Sequence, residues 1–308
     1  MRILLWHVHG SWTTAFVQGS HDYVVPVLPG RGPDGRGRAR TWTWPRSVVE
    51  LPPGQLADAA IDVVILQRPA ELGGLAERWL GRRPGRDVPA VYLEHTAPQG
   101  RIADMRHPAA DRPDLTVVHV THFNELFWDC GSTPTRVIEH GILDPGYRYT
   151  GEIERPAVVI NEAGRRGRVT GTDLLRRFGP LDLFGMDAAR LGGIEDVPQE
   201  RLHDELARRR VYLHPIRWTS LGLSLLEAMQ LGMPVVALAT TEAPEAVPPE
   251  AGVVSTDVDA LIEAVGRFNA HRELACEVGR AARRAALERH GLPRFLADWD
   301  ALLEEVAS

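Results

Sequence analysis

Residues 214–236 read HPIRWTSLGLSLLEAMQLGMPVV. A short apolar strand, Val211–Leu213, runs into this polar loop, which carries a glycine at Gly222. Leu223, Leu225, Leu226 and Met229 then recur at helical spacing. Gly232 ends the helix, and the run from Pro234 to Leu238 begins another strand. Strand, loop, helix, glycine stop and strand make one unit of a parallel sheet. Chemistry is expected where the loop becomes the helix. The first N–H groups of a helix have no partner inside it, and its dipole adds partial positive charge. Such a junction suits a phosphate, and Glu227, one turn in, can accept from a neighbouring pair of hydroxyls. Ser224 and Glu227 also fit the S-x-x-E capping box, in which the glutamate only satisfies a backbone donor.

The whole chain sets wide bounds. Its 308 residues suit two domains, and 44% hydrophobic with 25% charged residues are ordinary globular values. A net charge of −6 gives no reason to expect nucleic acid. No run reaches the ~18 apolar residues of a membrane span, and no export leader is expected before the first apolar run at Arg2. Cys130 and Cys276 form no disulfide or metal pattern, so a reducing cytoplasm is the expected setting. All 35 basic residues are arginines; wherever phosphate is to be held, the arginine fork must do it.

In the N-terminal half, Arg2–Val8 is a nearly continuous apolar run, as for a strand covered on both faces. It ends in His9-Gly10-Ser11-Trp12-Thr13, a glycine turn without the G-x-G-x-x-G dinucleotide pattern. Further strands are expected at 22–28, 62–67, 88–93 and 115–121, with helices near 72–80 and 124–129. The stretch 29–46 interleaves Arg31, Arg36, Arg38, Arg40 and Arg46 with Trp42 and Trp44. It reads as a mobile surface loop or as a grip for an anionic acceptor. His95 closes the strand at 88–93, at the edge where open α/β sheets bind ligands. Gly141 is expected to serve a turn.

In the C-terminal half a strand at 156–161 leads into EAGRRGRVTG, residues 162–171. Its glycines permit close backbone approach, and Arg165, Arg166 and Arg168 can neutralise a diphosphate. Thr170 or Thr172 is expected to cap the helix that follows. Asp257 and Asp259 spell D-x-D, but they stand just before the helix 260–268, where capping is the better reading. Asp298 and Asp300 do not share a helix face. No metal site and no cofactor are expected.

The stretch LGLSLLEAMQLGMPVVA, Leu221–Ala237, resembles the signature of the retaining, family-4 type (group 1) glycosyltransferases. The resemblance implies the GT-B fold: α/β, with two Rossmann-like doubly wound parallel-sheet domains facing a central cleft. An N-terminal acceptor domain would take residues 1–145 and a nucleotide-sugar donor domain 146–290. A last helix, 291–308, would pack back on the first domain. The implied activity is transfer of a sugar, with retention, from a nucleotide-diphosphate donor to a hydroxyl acceptor, without a required metal and without stable membrane contact. The family carries two glutamates separated by seven residues; the second is Glu227, which would hold the ribose, and the first position is Thr219. His95, Arg168 and Thr219 would face the reacting centre. Arg165, Arg166, Ser220, Leu221, Gly222 and Leu223 would hold the diphosphate, with the base near Gly185 and Ile194. His9 to Thr13 would line the acceptor side. Thr219, and Thr170 at the family's lysine position, also leave open a degenerate nucleotide-binding scaffold. A sugar-nucleotide epimerase or hydrolase on the same fold is the other alternative.

Overall fold

A computed structural model describes all residues, Met1–Ser308. The chain divides into two compact units, Met1–Leu143 with Leu292–Ser308, and Asp144–Gly291.

The first unit contains β1 (Arg2–Leu5), α1 (Gly10–Phe16), β2 (Asp22–Pro26), β3 (Val48–Leu51), β4 (Val63–Leu66), α2 (Ala76–Leu80), β5 (Ala90–Glu94), β6 (Thr116–His119), α3 (His122–Phe127) and β7 (Thr135–Val137). The strands form one sheet in the order β3-β2-β1-β4-β5-β6-β7, with every pairing parallel. Because side chains alternate across a strand, each apolar run feeds two cores. Ile3, Leu5, Val63, Ile65, Val91 and Leu93 bury one face against Trp12 and Phe16 of α1. Leu4, Val64, Leu66, Ala90 and Tyr92 bury the other against Ala76 and Leu80 of α2. This double burial is why the strands read as unbroken apolar runs.

The second unit contains β8 (Ile153–Val159), α4 (Ala163–Arg166), β9 (Asp182–Phe184), α5 (Gln199–Arg208), β10 (Arg209–His214), α6 (Leu223–Leu231), β11 (Val235–Leu238), α7 (Ala243–Ala246), β12 (Gly252–Ser255), α8 (Val258–Ala270) and α9 (Arg272–His290). Its sheet, also parallel throughout, has the order β12-β11-β10-β8-β9. The strand order reverses between β1 and β4 in the first sheet and between β8 and β10 in the second. Open α/β sheets bind ligands beyond the carboxyl ends of strands at such a reversal.

Several details differ from the sequence reading. β3 and β12 are strands that it passed over. The segment 29–46 is pinned rather than loose. Arg38 donates to the carbonyls of Trp44 (2.7 Å), Pro45 (3.0 Å) and Val48, Arg31 pairs with Glu50 (2.9 Å), and the Trp44 indole donates to Thr14 Oγ1 (2.9 Å). The helix expected over 72–80 breaks at Gly74, whose φ is 106°. Neither Thr170 nor Thr172 caps a helix. Their hydroxyls donate to the carbonyls of Gly167 (3.1 Å) and Ala163 (2.9 Å), so the segment 172–178 is a 3-10 coil. Asp257 is indeed a cap, accepting from Asp259 N–H at 2.9 Å. Asp298 holds Arg294 and Asp300 holds His21. No helix is long and apolar enough to cross a membrane.

The terminal helix, α10 (Leu292–Ala307), belongs to the first unit. It buries Phe295, Trp299, Leu302 and Leu303 against Trp12 and Phe16, with the Phe16 and Trp299 rings 5.0 Å apart. Gly141 serves this packing rather than a turn. A Cβ there would lie 2.7 Å from Phe295 Cγ, closer than carbon atoms approach. Gly141→Ala should therefore destabilise the protein by about 1–3 kcal/mol, the usual cost of overpacking. A lowered urea midpoint is the expected observation, and an unchanged midpoint would contradict the contact.

Candidate nucleotide-binding site

At the reversal in the second sheet, β10 leads through Pro215–Gly222 into α6. Gly222 is the extended residue before the helix (φ −74°, ψ 119°), and no side chain caps this end. The capping-box reading therefore fails. Ser224 lies inside the first turn, and its hydroxyl accepts from the Tyr212 phenol at 2.8 Å. Glu227 sits in the second turn, beyond reach of a reciprocal cap. The first-turn N–H groups of Leu223 and Ser224 remain for an anion, aided by the helix dipole.

The buried His214 imidazole fixes where this turn starts. A Cβ on Gly222 would lie 2.6 Å from His214 Cε1, so only glycine lets the chain cross the ring. Burial pulls the His214 pKa down to about 4. The ring is thus neutral at pH 7.

The arginine loop after β8 lies beside this turn. Gly171 is left-handed (φ 73°), and a side chain there would strike the Pro215 carbonyl. The N–H of Arg217 donates to Val169 O at 2.9 Å. The Arg217 guanidinium grips both oxygens of Asp173 (2.5 and 2.9 Å) and the Arg168 carbonyl (2.8 Å). Arg217 thus ties the two loops together, a role that its place beside Thr219 did not suggest. The neighbouring arginines differ in what they have left to give. Arg165 is exposed and bound to Glu162. Arg168 is exposed, with Asp173 at 3.4 Å. Arg166 is half-buried and pairs with no carboxylate. Burial, and then the charge of Arg165, lower its pKa below the usual guanidinium value, yet a guanidinium stays cationic at pH 7. It is the cation best placed to gain from an incoming anion.

Four non-glycine residues with left-handed backbone stand in the loops beyond the carboxyl ends of this sheet: Glu162 after β8 (φ 55°), Asp187 and Asp196 after β9 (φ 61° and 55°) and Thr241 after β11 (φ 52°). Such conformations cost energy and cluster at functional sites. The Asn161 side chain accepts from Met186 N–H at 3.0 Å, and Glu162 N–H donates to Met186 O at 2.7 Å. These bonds strap the first two loops together. Gly185 (φ 137°) lets β9 end close against Ile160, and its N–H donates to Ile194 O at 3.2 Å. Ile194 is exposed and Thr219 half-exposed, whereas Ser220 and Leu221 are buried. Two residues went unremarked in the sequence, Gln199 and His203 on α5, which contact Glu227. Their spacing of four at the start of a helix after Pro198 is the only signal they gave.

The reversal in the first sheet carries a second cluster. His95 is buried, donates through Nε2 to Gln67 Oε1 at 3.0 Å, and packs 4.0 Å from the His9 ring. Burial, with smaller contributions from His9 and His140, holds its pKa well below 6.5, so it is uncharged at pH 7. Trp12 and Thr13, expected to face an acceptor, are core residues instead. Trp12 packs edge-on to His95 and Trp299, and the Thr13 hydroxyl donates to His9 O at 2.8 Å. Of that loop only His9, Gly10 and Ser11 reach the surface.

Residues 187–270 match the family model described as Glycosyl transferases group 1. Among solved structures, a sucrose-phosphate synthase from Thermosynechococcus elongatus superposes with a TM-score of 0.72 at 14% identity, covering 99% of this chain and 98% of that one. The chain has the GT-B fold. Two other GT-B relatives show the same extent of likeness. HepE from Anabaena, solved in complex with UDP, gives a TM-score of 0.68 at 14% identity over 99% of this chain and all of that one. AviGT4, a glycosyltransferase involved in avilamycin A biosynthesis, gives 0.64 at 17% identity over 100% and 98%. No curated protein sequence matches the chain. Within the GT-B frame the family match takes in Gln199, His203, the α6 turn and Glu227, while the arginine loop lies outside it.

Two expected outcomes follow from His214. Gly222→Ala should displace the ring and weaken nucleoside diphosphate binding at least tenfold, and His214→Ala in that background should recover part of the loss. An unaltered dissociation constant in the single variant would contradict the contact. His214 also ties stability to pH. Its folded pKa lies below its unfolded value, so its contribution is whole above about pH 6.5 and is lost as pH falls toward 4, by up to about 3 kcal/mol. His214→Leu should flatten that part of the stability profile measured in urea between pH 7 and 4.

Proposed function

We propose that the protein is a retaining glycosyltransferase that moves a sugar from a nucleotide-diphosphate donor to a hydroxyl acceptor. The observation that carries this reading is the uncapped N-terminus of α6, with Glu227 one turn further on, beside an arginine loop in which Arg166 pairs with no carboxylate. The match to glycosyl transferases group 1 and the UDP bound in HepE support it.

In this reading the donor's diphosphate lies on the N–H groups of Leu223 and Ser224 and against Arg166. Glu227 accepts from the ribose hydroxyls. The base lies by Gly185 and Ile194. As the glycosidic bond breaks, negative charge grows on the leaving diphosphate, and donors already aimed at it stabilise the transition state. Positive charge comes from the guanidinium and the helix end, so we read the transfer as independent of metal. The acceptor belongs to the first unit, where burial keeps His95 neutral and Gln67 Oε1 accepts from its Nε2. No side-chain nucleophile is assigned, and a front-face departure and attack relies on positioning. Two free thiols, Cys130 and Cys276, fit a cytoplasmic setting. Thr219 favours a second reading, a scaffold that binds nucleotide without transfer, because one hydroxyl replaces a carboxylate.

Glu227→Ala should weaken nucleoside diphosphate binding by about 1–3 kcal/mol, roughly ten- to a hundredfold. Arg166→Ala should do the same, while Arg165→Ala changes it little. Calorimetry with UDP, GDP and ADP reads all three. His95→Ala should cut turnover and leave nucleotide affinity intact, and turnover should survive a chelator. Binding without turnover across a broad donor and acceptor panel would support the scaffold. Failure to bind any of the three nucleotides would overturn both readings.

A further inference from the structure

Several acidic side chains around the donor loops are held by guanidinium groups. Glu162 is bound to Arg165, Asp173 to Arg217, and Asp187 to Arg190 at 2.7 Å. Glu227 differs: no arginine lies within ion-pair distance of it. One carboxylate oxygen, Oε2, accepts from the Gln199 amide at 3.0 Å. The same amide nitrogen lies 2.8 Å from His203 Nε2, and His203 Nε2 lies 3.5 Å from Glu227 Oε2. The amide has two hydrogens, one for each neighbour. With the amide as donor, His203 Nε2 is the acceptor of that bond. His203 and Glu227 are both buried, and Gln199 and His203 stand one turn apart on α5, so one helix face fixes one carboxylate oxygen.

We propose that Gln199 and His203 are positioning residues that hold Glu227 for a ribose diol while leaving its charge unspent. A carboxylate accepts at about four lone-pair sites. A guanidinium binds carboxylates in a two-pronged fork and takes both oxygens, whereas a single amide N–H takes one site and leaves Oε1 for the ligand. The neutral tie also fixes the side-chain rotamer, so that little conformational entropy remains to be lost when the nucleotide binds. The consequence is selection of ribonucleotides over nucleotides that lack the diol. This rests on the reading of Glu227 as the ribose acceptor.

The test uses whichever of UDP, GDP and ADP the wild type binds most tightly, together with its 2′,3′-dideoxy counterpart. Dissociation constants are measured by calorimetry on the full chain, with melting temperatures alongside. The wild type should prefer the ribonucleotide at least tenfold, and Glu227→Ala should abolish that preference. Gln199→Leu should cut it at least fivefold while the dideoxy nucleotide binds as before. Gln199→Arg should cut it equally, because the guanidinium takes the oxygens meant for the ribose, yet it should hold or raise the melting temperature. A purely structural role for Gln199 predicts the opposite for that variant: restored stability with restored preference. If Glu227→Ala loses the preference but either Gln199 variant keeps it, the positioning role is overturned and Glu227 remains the ribose acceptor. If the wild type shows no preference, or Glu227→Ala retains it, the reading of Glu227 fails and the positioning role fails with it. Should Gln199→Leu not fold, Gln199→Arg carries the test alone.

Discussion

The second unit's chemistry depends on one steric contact, the backbone of Gly222 crossing the buried imidazole of His214. That contact sets where α6 begins. Because the helix begins at Leu223, Ser224 falls in its first turn and is claimed by Tyr212, no side chain caps the end, and Glu227 falls in the second turn. A slide of the chain by one residue through the helix would rotate Glu227 by about 100° around its axis and break its bond to Gln199.

Around that start the arginines divide the labour through their partners. Arg217 is committed to Asp173 and the Arg168 carbonyl, and so welds the loop after β10 to the loop after β8. Arg165 is committed to Glu162. Arg166 alone of the three pairs with no carboxylate and has its charge partly desolvated. A chain with no lysine must use one residue type both as strut and as ligand clamp, and only the location of the nearest carboxylate distinguishes the two. The backbone strain at Glu162, Asp187 and Thr241 lies on the same edge of the sheet, where loops are bent to present groups rather than to pack.

Much of the fold was legible in the sequence because strands buried on both faces leave unbroken apolar runs. Arg2–Leu5, Val63–Leu66, Ala90–Glu94 and Val235–Leu238 all stood out for that reason. β3 and β12 did not, since they lie at the sheet edges, are short and are only partly buried. The candidate site could be outlined from the sequence: a glycine before an apolar helix and a cluster of arginines after a strand point to an anion, and the fold brings these two loops together. What could not be read was commitment. Whether Ser224 caps depends on Tyr212, twelve residues away, and whether an arginine is free depends on carboxylates such as Asp173 that only the folded chain brings near. Trp12 and Thr13 misled for a related reason. They follow a glycine turn at the carboxyl end of β1, but the first turn of α1 points their side chains into the core against Trp299 and back to His9 O.

A crystal structure of the chain with a bound nucleoside diphosphate tests the central claim most directly. The account predicts phosphate oxygens within hydrogen-bond distance of the Leu223 and Ser224 N–H groups and of Arg166, with both ribose hydroxyls on Glu227 and the Gln199 bond intact. A nucleotide bound elsewhere, or one at α6 with its ribose turned away from Glu227, would contradict it.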